Sequence, residues 1–375
     1  MLIKEKQMLN NSNSPGHKTL TSDKQAKGFT ILELIIAMVV FLIVTGAAYS
    51  VMLVAQGGRT TVSQQVQLTK NVRLALNLIG RDTYNAGYNY PLKFSVNLPD
   101  NRISTLLALP NDMGSMPDTI PPVIAGNNTN PNTFAVPNTN TDQITFLFKD
   151  STFNVIGDVG PPDKRTSTPL NVSGLSLSGG VSQATIDPSS GINTSCKVND
   201  IFVITGGTGS SLGVVTSTPL APNTDKVLFA SGDVLNFNQN GATSPIASLI
   251  PSVSMQRITV VTYFVAADGT LMRRNYGNSA DVTVLKPYVD NPLVYGVENF
   301  QIQYVLDNGT LSDNPSAGLD LMPGTDDDDQ TRLNLVRQIR FTITVKSSEL
   351  NKTGQPVRVT MTSTFGTRNL GYNVN

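Results

Sequence analysis

The sequence predicts an α+β protein, in which one long N-terminal helix packs on a mainly antiparallel β-sheet domain with long loops. Three observations predict it. Residues 29–55 are almost wholly apolar, with no Lys, Arg or Asp and a single Glu. Leu68, Val72, Leu76, Ile79 and Thr83 then recur at spacings of three and four, which puts them on one face of a helix. Beyond about residue 142, short β-branched and aromatic segments alternate with clusters of Gly, Pro, Asn and Ser, the pattern of strands joined by turns.

Residues 1–28 form a polar leader with Lys4, Lys6, Lys18, Lys24 and Lys27 against Glu5 and Asp23. It has no apolar core of its own, so it is not an ordinary secretory signal. Its positive charge should stay cytoplasmic and leave the C-terminal bulk outside. Met1 and Met8 are both candidate starts. The run 29–55 would form a helix about 40 Å long, enough to cross a hydrocarbon core of about 30 Å with some tilt. Glu33 is the unusual residue in it. A carboxylate at mid-bilayer costs about 2.5–3.5 kcal/mol, so it needs a partner or a purpose.

Lys27-Gly28-Phe29-Thr30-Ile31-Leu32-Glu33-Leu34, between a basic leader and a long apolar helix, closely resembles the N-terminus of type IV prepilins and type II secretion pseudopilins. The resemblance implies the type IV pilin fold. It also implies cleavage after Gly28 by a prepilin peptidase and N-methylation of the new N-terminus, Phe29. Glu33 falls on the family's acidic fifth mature position, which implies a role in subunit assembly.

Residues 56–88 continue as an amphipathic helix, with Lys70, Arg73 and Arg81 between the apolar positions. Many pilins carry Pro at the twenty-second mature position, where this chain has Ser50. A kink or local melting is therefore expected at Gly46 or at Gly57-Gly58, where each glycine costs about 1 kcal/mol in a helix. The segment Asn71 to Asp82, with Ala86-Gly87-Tyr88, is similar to the matching part of PilW-type minor pilins.

Residues 89–375 are expected to form the β-rich globular domain. Within it, 89–141 reads as loop, broken by Pro91, Pro99, Pro110, Pro117, Pro121, Pro122, Pro131 and Pro137. It is either a solvated connection or a displayed variable surface. Strands are predicted at 143–148, 200–205, 212–216, 226–230 and 257–265, the last turning at Asp268-Gly269 into 270–274. The Ser/Gly-rich stretch 160–195 reads as a second insertion. Pro292 to Tyr304 resembles a segment shared by PilW-type minor pilins and J-type pseudopilins, in which a turn leads into a strand. Residues 337–346 and 357–365 alternate apolar and polar, as half-buried antiparallel strands do. Arg368-Asn369-Leu370 resembles the family's final strand.

Loss of the leader would remove five of 27 basic and two of 27 acidic side chains, leaving 22 and 25, a net charge of −3. That gives no electrostatic footprint for nucleic acid. The sole His, His17, lies in the leader, so the mature chain can build neither a Ser-His-Asp nor a Cys-His arrangement. Gly206-Gly207-Thr208-Gly209-Ser210-Ser211 lacks the Gly-Lys-Ser/Thr ending of a phosphate loop and reads as a hairpin turn. Cys196 is the only cysteine, so no intramolecular disulfide can form. Asp326-Asp327-Asp328-Asp329, preceded by Asp307, Asp313 and Asp320, reads as a solvated acidic loop or as hard oxygen ligands for Ca²⁺; its spacing does not match an EF-hand.

The reading that follows is a minor pilin with no catalytic residues and no required cofactor. It would be stored in the inner membrane as a single-pass protein with its C-terminus periplasmic, then moved to the pilus at the cell surface. Its partners would be other pilins, the prepilin peptidase and the inner-membrane assembly platform. A type II secretion pseudopilin and a pilus-tip adhesin are the alternatives.

Overall fold

The computed structural model describes residues 28–91, 96–99, 118–135, 137–153, 155–156, 166–167, 169–186, 196–217, 226–241, 244–249, 252–277, 288–315, 333, 335–351 and 354–370. Among them are one α-helix, α1 (Ile31–Asn85), and eighteen strands. The first six are β1 (Val96–Leu98), β2 (Asp118–Thr119), β3 (Val123–Asn132), β4 (Thr139–Lys149), β5 (Val155–Ile156) and β6 (Thr166–Ser167). Next come β7 (Leu170–Ser178), β8 (Val181–Ile186), β9 (Ile201–Gly206), β10 (Ser210–Val214), β11 (Lys226–Phe229) and β12 (Ser252–Val265). The last are β13 (Leu271–Tyr276), β14 (Tyr288–Val294), β15 (Val297–Leu306), β16 (Leu311–Ser312), β17 (Val336–Leu350) and β18 (Pro356–Gly366). This is the α+β arrangement with a long N-terminal helix, and it fits the type IV pilin fold.

The chain divides into two units, residues 1–58 and 59–375, and α1 contributes to both. In the first unit the apolar side chains from Ile31 to Val54 are exposed, and the most apolar 18-residue window of α1 has a mean hydropathy of 2.6. By length and composition α1 is able to cross a membrane. Its helical hydrogen bonding runs unbroken through Gly46, Gly57 and Gly58, so the expected local melting is absent. About 1 kcal/mol per glycine is less than the cost of leaving backbone groups unpaired in an apolar medium.

In the second unit, Val72, Ala75, Leu76 and Ile79 of α1 are buried, with Leu68 partly so. They share a core with Phe300, Ile302, Tyr304, Ile339, Phe341, Ile343 and Val345, on the inner face of a four-stranded sheet ordered β16-β15-β17-β18. Each such side chain contributes about 1.5–3 kcal/mol on burial. The larger, twelve-stranded sheet is organised around β12, which pairs with β4, β7, β9 and β13. Every pairing between the strands is antiparallel except β1 with β10. The turn after β12 closes at Asp268-Gly269 as predicted, with the Gly269 N–H donating to the Ala266 carbonyl at 2.9 Å. The Gly206–Gly209 turn joins β9 to β10 as a hairpin.

Three expectations need correction. Residues 89–141 are not all loop, because β3 fills Val123–Asn132 and β4 begins at Thr139. Among the described residues β3 pairs on one side only, the edge position where a proline such as Pro131 is tolerated, and a register shift between Gly126 and Asn130 absorbs the Asn-Thr stretch. Part of the 160–195 insertion is a hairpin, β7–β8, turning at Gly179-Gly180 with φ of 60° and 85°. Positive φ at both central turn residues suits the twist of a two-residue hairpin, and glycine adopts it without strain. Finally, Arg368-Asn369-Leu370 is a turn after β18 and not a strand. Its Leu370 is fully buried, and Asn369 Nδ2 donates to the Tyr84 carbonyl at 2.7 Å, satisfying an orphan acceptor in the last turn of α1.

Candidate processing and assembly site

The first turn of α1 carries a reciprocal cap. Thr30 stands just before the first helical residue, Ile31. The Glu33 N–H donates to Thr30 Oγ1 at 3.2 Å, and the Thr30 N–H donates to Glu33 Oε2 at 3.0 Å. The Thr30 hydroxyl also donates to Glu33 Oε2, at 3.1 Å, and the Leu34 N–H makes the first helical bond to the Thr30 carbonyl at 3.2 Å. This is a capping box, in which Thr at the N-cap and Glu three residues on satisfy each other's backbone donors. The signal Thr-x-x-Glu before an apolar run was legible, but the functional reading of Glu33 obscures it.

The box gives Glu33 a local structural role beside the assembly role implied by the resemblance. The two are compatible in geometry. Oε2 takes both bonds from Thr30, while Oε1 accepts none among the described residues. A carboxylate at the positive end of the helix dipole is also favoured by about 0.3–1 kcal/mol. Gly28, Phe29 and Thr30 lie outside the helix and are exposed, Phe29 to 86%. The predicted cleavage point, methylation point and acidic residue therefore fall within one short accessible segment.

A second polar constellation lies where α1 meets the sheet. Asp82 has a side chain only 1% exposed, although it is a charged residue between Ile79 and Thr83 of the buried face. Its Oδ2 accepts from Tyr263 Oη at 2.6 Å and from Arg273 Nε and Nη2 at 2.9 and 2.8 Å. Burial first, then the Asp82 charge, pushes the Tyr263 phenol well above its ordinary range. A network so enclosed holds the helix at one position along the sheet and offers no reacting atom to solvent. The sequence hinted at it only through a charged residue beside an apolar stripe.

A third cluster joins Arg257 to Asp150 at 2.8 Å and to Asp200 at 3.3 Å, with the guanidinium 4.2 Å from the Phe153 ring centre. Cys196 is free and buried nearby in sequence, and burial followed by the Asp200 charge pushes its thiol up to about 12. Such a thiol stays protonated and unreactive at neutral pH. Of the acidic residues proposed for Ca²⁺, Asp320 and Asp326–Asp329 lie outside the described residues, while Asp313 accepts from Gln303 Nε2 at 3.1 Å. Among the described residues, no group of three or more His, Cys, Asp or Glu side chains is placed to hold a metal ion.

Residues 23–49 match the family described as the prokaryotic N-terminal methylation motif, the signature of type IV prepilins. Over that span the chain is similar to type IV prepilins. The matched span covers the capping box and about the first third of α1. Comparison with curated proteins returned no match, and comparison with solved structures returned none either. The pilin motif implies processing by a prepilin peptidase and association with other pilins, and together with the apolar helix it supports membrane anchoring through the N-terminus.

Proposed function

We propose that this pilin-like chain is a minor pilin of the PilW kind that takes part in type IV pilus assembly. The observation that carries the reading is the methylation motif set on an apolar helix that continues into a β-rich domain. The peptidase cuts after Gly28 and methylates Phe29. The subunit waits in the inner membrane with its C-terminal domain in the periplasm, engages the assembly platform, and then enters the fibre. It works by packing and not by catalysis, without a cofactor. The absence of His from the mature sequence and the burial of Cys196 support that view.

Glu33 neutralises the Phe29 ammonium of a neighbouring subunit through Oε1. In a fibre core of low dielectric either charge alone is expensive, so the pair is favoured and sets the register between subunits. Glu33→Ala is therefore processed but enters pili poorly, as measured by immunoblotting sheared fibres against membranes. Normal incorporation would sink this role. Deletion of the gene in retraction-deficient cells lowers the number of surface pili, and unchanged piliation would exclude a priming role.

A further inference from the structure

We infer that Thr30 is a positioning residue for leader removal: by capping α1 at Ile31 it keeps the Gly28–Phe29 peptide bond outside the helix. The inference rests on the processing reading above. Thr30 Oγ1 accepts from the Glu33 N–H at 3.2 Å, and the Thr30 N–H is turned to Glu33 Oε2 at 3.0 Å. An N-cap residue has non-helical backbone angles, so the chain before it leaves the helical path. Gly28 and Phe29 accordingly carry no helical hydrogen bonds and are exposed. Nothing else in the local sequence stops the helix as well. Lys24, Gln25, Ala26 and Lys27 are all good helix formers, and only Gly28 disfavours propagation.

The methylation motif that carries the processing reading spans residues on both sides of this bond. Cleavage of a chain that opens and closes rapidly tracks the population of the open form. Losing a Thr cap costs ~1 kcal/mol, which lowers that population by as much as fivefold. Thr30 would thus act on the rate of cutting without touching the peptide bond itself.

The test uses the full-length precursor in membranes with prepilin peptidase, comparing initial rates of cleavage for wild type, Thr30→Ala, Thr30→Ser and Thr30→Asn. The mature N-terminus is read by mass spectrometry. Thr30→Ala should be cut as much as fivefold more slowly, while Ser and Asn, both good caps, restore the wild-type rate. A wild-type rate for Thr30→Ala overturns the inference. Ser and Asn variants as slow as Ala also overturn it, because the peptidase would then be reading the threonine side chain directly. Wild-type precursor left uncut at Gly28 is a separate result that defeats the processing reading, and this inference with it.

Discussion

The Asp82 network offers the sharpest test of how α1 is fastened to its sheet. Asp82→Ala removes a carboxylate that accepts three hydrogen bonds on one oxygen, from Tyr263 and twice from Arg273. The Arg273 side chain is only 15% exposed and would lose its counter-charge. Breaking a buried pair by removing one partner costs about 3–5 kcal/mol, because the remaining charge is left uncompensated. Arg81, 63% exposed and 3.3 Å from Oδ1, cannot make up the loss. The assay is urea unfolding of the full chain in detergent, followed by far-UV circular dichroism. Asp82→Ala, Arg273→Met and the double variant form a cycle. We expect the double variant to recover much of the single loss, a strongly non-additive result. A loss below about 1 kcal/mol for Asp82→Ala, or additive single effects, would refute the view that this pair locks the helix.

Two further predictions concern packing and pH. A Cβ at Gly80 would lie 2.4 Å from Phe365 Cε1, so Gly80→Ala should destabilise by about 1–3 kcal/mol despite alanine's better helix propensity, and Phe365→Leu should relieve it. Urea midpoints check both; a more stable Gly80→Ala would show that the ring can move aside. Asp142 accepts from the Asn128 and Ile302 N–H groups at 2.9 and 2.6 Å, yet burial above all raises its pKa from 3.8 to about 6. A raised carboxylate pKa means that the folded state holds the proton more tightly. Its stabilisation, about 3 kcal/mol at most, is complete below pH 4 and is lost as pH rises through about 6. Asp142→Asn should flatten the stability profile between pH 4 and 7; an unchanged slope would show that the two amide donors keep Asp142 ionised.

Much of the fold was legible. Helical spacing marked Val72, Leu76, Ile79 and Thr83 as the buried face, and all four are buried. Alternation marked β17 and β18: Ile339, Phe341, Ile343 and Val345 of β17 are buried in the core, and Val359, Met361 and Phe365 of β18 are partly buried against it. β3 escaped notice because Asn, Gly and Pro are poor strand formers, and pairing with β4 makes that segment extended. The β7–β8 hairpin was hidden likewise by Ser and Gly. At the N-terminus, Gly28, Phe29 and Glu33 could be marked from the motif alone. The cap formed by Thr30 was equally present in four residues of sequence, since both partners are local.

By itself the sequence determined whatever depends on near neighbours: the apolar length of α1, its capping box, its buried face and the alternating strands. The tertiary structure alone decided which distant polar groups meet. Asp82 finds Tyr263 and Arg273 across 181 and 191 residues, and Asp142 finds Ile302 across 160. No local pattern encodes such partners. A buried charge must be compensated, but which side chain compensates it follows from how the strands are ordered around β12 and how closely Gly80 lets the helix approach Phe365.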